Sequence, residues 1–149
     1  MNILPLSGTV APAASPALSG QPGTVQAREI ADLKARDQRV RAHEAAHLTA
    51  AGGLARGGAS YTYERGPDGV AYAVGGEVSI DTSPVPGNPA ATLAKAHQIQ
   101  AAAMAPADPS PQDRSVAAAA SAMAAQAQRE VQRAQATGAS SGRVLEVMA

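Results

Sequence analysis

His43-Glu44-Ala45-Ala46-His47 sets two imidazoles four residues apart with a carboxylate between them. On a helix, positions i and i+4 share one face a single turn apart, so both rings can reach one ion. Neutral imidazole is a zinc ligand, and the intervening glutamate can reach a water beside the ion. The chemistry this spacing points to is hydrolysis by activated water. His43 and His47 would be the metal ligands, Glu44 the catalytic base and Zn2+ the cofactor. A short motif of this kind also occurs on solvent-facing helices, where it does nothing. Against that, the chain has only three histidines and spends two of them here.

A catalytic zinc needs a third protein ligand and an open position. The extended metzincin pattern would require Gly at position 50 and His at 53; the chain has Ala50 and Gly53, which excludes it. Four residues remain as candidates. Glu77 is favoured as the third metal ligand, because it follows a strand face of small residues and the pair Gly75-Gly76. Asp81 is the alternative ligand, or an acceptor that orients a histidine N–H from outside the coordination sphere. His97 reads as a histidine packed on an apolar helix face, and Glu64 as a surface residue beside Arg65. For stabilising the oxyanion of a tetrahedral intermediate, Tyr63, Tyr72 and Arg65 are available.

These residues need elements to hold them. Residues 28–51 read as one long helix. Asp32–Arg36 and Asp37–Arg41 are i,i+4 pairs in the favourable order, and Leu33, Val40, His43 and His47 fall along one stripe. Gly52-Gly53 supplies its stop. Ser60–Arg65 and Val70–Val74 are strand-like, with Gly66-Pro67-Asp68-Gly69 as the turn. Pairing Arg65 with Val70 would put Tyr63 opposite Tyr72 and all three tyrosines on one face; a bulge at Gly75-Gly76 would flip Glu77 to the other side. Asn88-Pro89 is an N-cap followed by a first-turn proline. The helix it opens should run to about Met104, with Leu93, His97, Gln100 and Met104 on one face. Ser110-Pro111 opens a third helix with Asp113 in a capping box. Its stripe is Val116, Ala120, Met123, Ala127 and Val131 (or Glu130), and its end is expected near Gly138.

Composition bounds the rest. The chain has 149 residues, no Cys, Trp or Phe, three Tyr and 12 acidic against 12 basic side chains. Its 45% apolar fraction is mostly alanine, so the core should be thin with helices in close approach. A formal net charge of zero gives no electrostatic footprint for nucleic acid or a membrane surface. Without cysteine there are no disulfides and no thiolate metal sites. Residues 1–27 are rich in Pro, Ala, Gly and Ser and read as a disordered tail with no convincing signal peptide. The expected location is cytoplasmic.

The ordered set Ala42–Gly53, Ser60–Gly69, Tyr72–Asp81 (Tyr-Ala-Val-Gly-Gly-Glu-Val-Ser-Ile-Asp) and Ala105–Ser110 resembles the SprA-related family, a group of proposed bacterial zinc metallopeptidases. The resemblance spans about residues 35–120. It implies that His43 and His47 are ligands and Glu44 is catalytic, and it draws attention to Glu77 and Asp81.

The expectation is an α+β, mainly helical domain over residues 28–137, minimal zincin-like: the H-E-x-x-H helix, a β-hairpin and two further helices, flanked by disordered termini at 1–27 and 138–149. Its expected function is zinc-dependent hydrolysis of a peptide or protein substrate. The alternative is a non-catalytic helical interaction module with a structural or vestigial metal site. A closed four-ligand sphere would favour the module, and three ligands with an open side the enzyme.

Overall fold

A computed structural model describes the chain from Pro22 to Leu145. In order, it contains helix α1 (Pro22–Ala51), a single 3-10 turn (Gly52–Leu54), strands β1 (Ser60–Arg65) and β2 (Ala71–Glu77), and helices α2 (Pro89–Ala103) and α3 (Pro111–Leu145). The protein is mainly helical, with a two-stranded antiparallel hairpin packed by β2 against α1, and with α2 packed against both α1 and α3. Among the described residues no helix is long and apolar enough to cross a membrane.

Helix α1 begins at Pro22 rather than Arg28, and α3 continues to Leu145 rather than stopping near Gly138. The tail reading of residues 1–21 lies outside the described residues. Leu33, Glu44, His47 and Ala51 of α1 are buried, at spacings of 11, 3 and 4 residues that keep them on one stripe. The helix ends as expected: Gly52 takes φ 51°, and the Gln98 side-chain amide donates to the Ala51 carbonyl at 2.9 Å, satisfying an orphaned end group.

The hairpin loop is one residue shorter than expected. Gly66 N–H donates to Val70 O at 2.8 Å and Gly69 N–H to Gly66 O at 2.9 Å, while Gly69 sits at φ 77°. This is a three-residue loop whose left-handed glycine forms a bulge. Arg65 therefore pairs with Ala71 and Tyr63 with Ala73, and a second irregularity between Thr62 and Tyr63 brings Tyr61 opposite Gly76. A one-residue slip turns side chains to the other face. Tyr72 is thereby buried, its hydroxyl donating to Asp68 at 2.6 Å, whereas Tyr63 is exposed. The shared tyrosine face does not form.

Helix α2 starts as expected, with the Asn88 side chain accepting from Ala91 N–H at 2.9 Å and Pro89 in the first turn. Its buried stripe is Thr92, Ala96, Ile99, Ala102 and Ala103, so His97 is exposed rather than packed in a core. On α3, Ala117, Ala120, Ala124 and Ala127 are buried. Alanine on both helices permits the close contact between them, and the branched Ile99 is the largest fully buried side chain.

Residues 78–81 return along the 3-10 turn. Arg56 N–H donates to Ser79 O and Asp81 N–H to Leu54 O, each at 2.8 Å, with a bridge between Ala55 and Ile80. Asp81 locks this segment, accepting from Arg56 and from Lys95 of α2 at 2.8 Å each and from the Ser83 hydroxyl at 2.6 Å. Lys95, Ser83 and Arg56 hold its carboxyl well below the usual carboxylate range. A carboxyl depressed by folding stabilises above its unfolded value of about 3.9, and the contribution is lost as pH falls below that. Asp81→Asn is therefore expected to melt at a lower temperature than wild type at pH 7, with the gap narrowing toward pH 3. A gap that does not change with pH would contradict this role.

Candidate metal centre

One helical turn of α1 and the first turn of α3 converge on the same spot. His43 Nε2 and His47 Nε2 lie 3.2 Å apart. The Asp113 carboxylate lies 3.4 Å from the first through one oxygen and 3.3 Å from the second through the other. The three side chains form a group that could hold a metal ion. Asp113 reaches it through the capping box, in which Ser110 N–H donates to Asp113 Oδ2 at 2.7 Å and Asp113 N–H to Ser110 Oγ at 3.1 Å. The motif that starts α3 thus also fixes a carboxylate over the histidines. Burial raises the Asp113 carboxyl, but the bonds from Ser110 and the two histidines outweigh it and hold the group below its ordinary value.

The donor chemistry fits a cation. His47 Nδ1 is 2.9 Å from the Ala102 carbonyl, which can only accept. Nδ1 therefore carries a proton, and in the neutral tautomer this selects, Nε2 presents a lone pair. That lone pair faces an acceptor-only carboxylate. Acceptors this close need a cation or a shared proton between them. Donors about 2.0–2.1 Å from a tetrahedral ion lie roughly 3.3 Å from one another, close to the 3.2 Å between the two ring nitrogens; with one ligand atom from each residue, the three lie within 4.8 Å of one another. Ala102, at the end of α2, is the outer partner that orients His47.

Glu44 is next to this group and only 3% exposed. Its Oε2 is buried without a hydrogen-bond partner, and burial pushes its carboxyl up despite the two nearby histidines. An unpartnered buried carboxylate is costly unless something else occupies the site. Strand β2 reaches it through Gly76, where a Cβ would lie 2.8 Å from Glu44 Cγ and 2.9 Å from its Oε1. The whole group opens into a cavity of about 350 Å³ lined in part by His43, Glu44, His47, Glu77 and Asp113.

Glu77 lines that cavity, but the carboxylate grouped with the histidines is Asp113. Asp81 is engaged by Arg56 and Lys95. His97 and Glu64 are exposed. Tyr72 is bound to Asp68, Arg65 donates to Gly69 O at the hairpin turn, and Tyr63 is exposed beside Tyr61. None of these three lines the cavity. The neutral polar side chains that do are Thr82, Ser110 and Gln112. Asp113 was readable as a helix cap. Its second role had no signal in spacing, since 66 positions separate it from His47 and only the α2–α3 turn brings it back.

The model of the SprA-related family matches residues 20–141. That range includes α1 with both histidines, the hairpin, α2 and the first turn of α3. No curated protein and no solved structure matches the chain.

Proposed function

The chain belongs to the SprA-related family, and we propose that it is a zinc-dependent peptidase whose ligands are His43, His47 and Asp113. The observation that carries this reading is the pairing of a three-donor group with a buried, unpartnered glutamate on one open cavity. Three donors with an open side suit catalysis, whereas a structural zinc is closed by four. Zinc is favoured over harder divalent ions by two imidazoles among the three donors.

Zinc, when bound, supplies Lewis acidity that makes water a better nucleophile near neutral pH and draws charge from the scissile carbonyl. His43 and His47 contribute neutral lone pairs, and the Ala102 carbonyl keeps the His47 proton on Nδ1. Glu44 accepts a proton from water at its free carboxylate oxygen as the water oxygen adds to the carbonyl carbon. It then gives that proton to the amide nitrogen as the C–N bond breaks, leaving an acid and an amine. Burial suits Glu44 to both steps, because a raised carboxyl holds a proton more readily than an exposed glutamate. Gln112 and Thr82 are placed on the cavity to donate to a developing oxyanion.

The test is hydrolysis of a mixed peptide library, read by mass spectrometry, by the full chain with zinc and after chelation. Cleavage with zinc that stops on chelation and returns on re-addition is expected. A zinc-loaded chain that cleaves nothing would contradict the reading. Gly76→Ala is the corresponding geometric probe. A methyl group there must displace the Glu44 carboxylate, so kcat should fall by about a hundredfold with zinc content unchanged. Undiminished kcat would mean that β2 does not set the position of Glu44.

A further inference from the structure

With Asp113 beside the histidines, Glu77 is left without a task. It ends β2 on the cavity wall and is exposed, and among the described residues its side chain makes no hydrogen bond or ion pair. Nearby acids differ in this respect: Asp37 is paired with Arg41, and Asp81 with Arg56 and Lys95. The cavity lining carries three carboxylates, those of Glu44, Glu77 and Asp113, and no lysine or arginine. A divalent ion with two neutral imidazoles balances Glu44 and Asp113. The charge of Glu77 then remains uncompensated at the cavity wall. A concave site lined by one sign of charge concentrates its field on whatever enters.

Resting on the peptidase reading, we propose that Glu77 is a specificity residue that selects substrates bearing a positive charge beside the scissile bond. The recognised chemistry is an ammonium or guanidinium group, supplied either by a free peptide N-terminus or by a lysine or arginine side chain. Acidic substrates meet repulsion at the same position. Glu77 is exposed, so its effect is that of a screened surface pair rather than a buried one.

The test is equilibrium binding to the zinc-loaded, full-length Glu44→Gln chain, which should hold peptides without consuming them. The probes are one peptide with lysine, norleucine or glutamate next to the scissile bond, each with a free or acetylated N-terminus. The cationic forms should bind about two- to fivefold more tightly than their neutral counterparts at low salt, with the preference shrinking as salt rises. Adding Glu77→Gln should abolish the preference, and Glu77→Lys should reverse it toward the glutamate peptide, with zinc content unchanged in both. The lysine and free-amine arms separate the two sources of charge. Equal binding of all forms, a preference that survives Glu77→Gln, or no binding of any peptide to the zinc-loaded chain would overturn the proposal. Failure of the peptidase reading is seen separately, as absence of zinc or absence of cleavage by wild type.

Discussion

Glu44→Gln is expected to lower peptide hydrolysis by about 10²–10⁴-fold while leaving zinc bound. The amide keeps the volume and much of the polarity of the carboxylate but cannot take a proton from water. Glu44 is not in the three-donor group, so the metal should stay. The same substitution replaces an unpartnered buried charge, at Oε2, by a neutral group. The variant should therefore melt at the same temperature as wild type or higher, since burying a lone carboxylate costs stability. Activity and stability moving in opposite directions is the expected mark of a catalytic group. A variant that loses zinc along with activity would instead make Glu44 a ligand. A variant that keeps activity would remove it from the reaction.

The second large effect separates Asp113 from Glu77 on the cavity. Asp113→Asn should weaken zinc binding by about tenfold or more, because it removes a charged donor that stands 3.3–3.4 Å from both ring nitrogens. The asparagine oxygen can still accept from Ser110 N–H, so the helix cap survives in large part. Asp113→Ala removes both functions and should also destabilise the chain by about 1 kcal/mol through the lost cap. Glu77→Gln should leave zinc affinity within a factor of about two, as expected for a charge that the metal feels only through solvent. Competition against a chelator of known affinity measures all three. Equal losses for Asp113→Asn and Glu77→Gln would mean that both carboxylates reach the ion. A loss confined to Glu77→Gln would restore the ligand set favoured from the sequence.

What could be read in the sequence was local. The chemistry of Asn88-Pro89 and Ser110-Pro111 located the starts of α2 and α3, because caps are made within four residues. The stop at Gly52 and the hairpin turn were readable for the same reason. The exact register was not, since it hangs on whether Gly69 forms a bulge, a choice of one residue that decides whether Tyr72 is buried or exposed. The face of α2 does not follow from side-chain size. In an alanine-rich pair of helices the small residues are the ones that pack, and His97 and Met104 point outward. The two histidines and Glu44 were legible because their relation is fixed by one helical turn. Asp113 was not, because its place beside them depends on how three helices and a turn assemble.

Zinc-edge X-ray diffraction from crystals of the zinc-loaded chain tests the central claim most directly. One anomalous peak is expected on the cavity, about 2.0–2.2 Å from His43 Nε2, His47 Nε2 and an Asp113 oxygen, with Glu44 outside the coordination sphere. A peak ligated by Glu77 in place of Asp113, or no peak at the histidines, would contradict it.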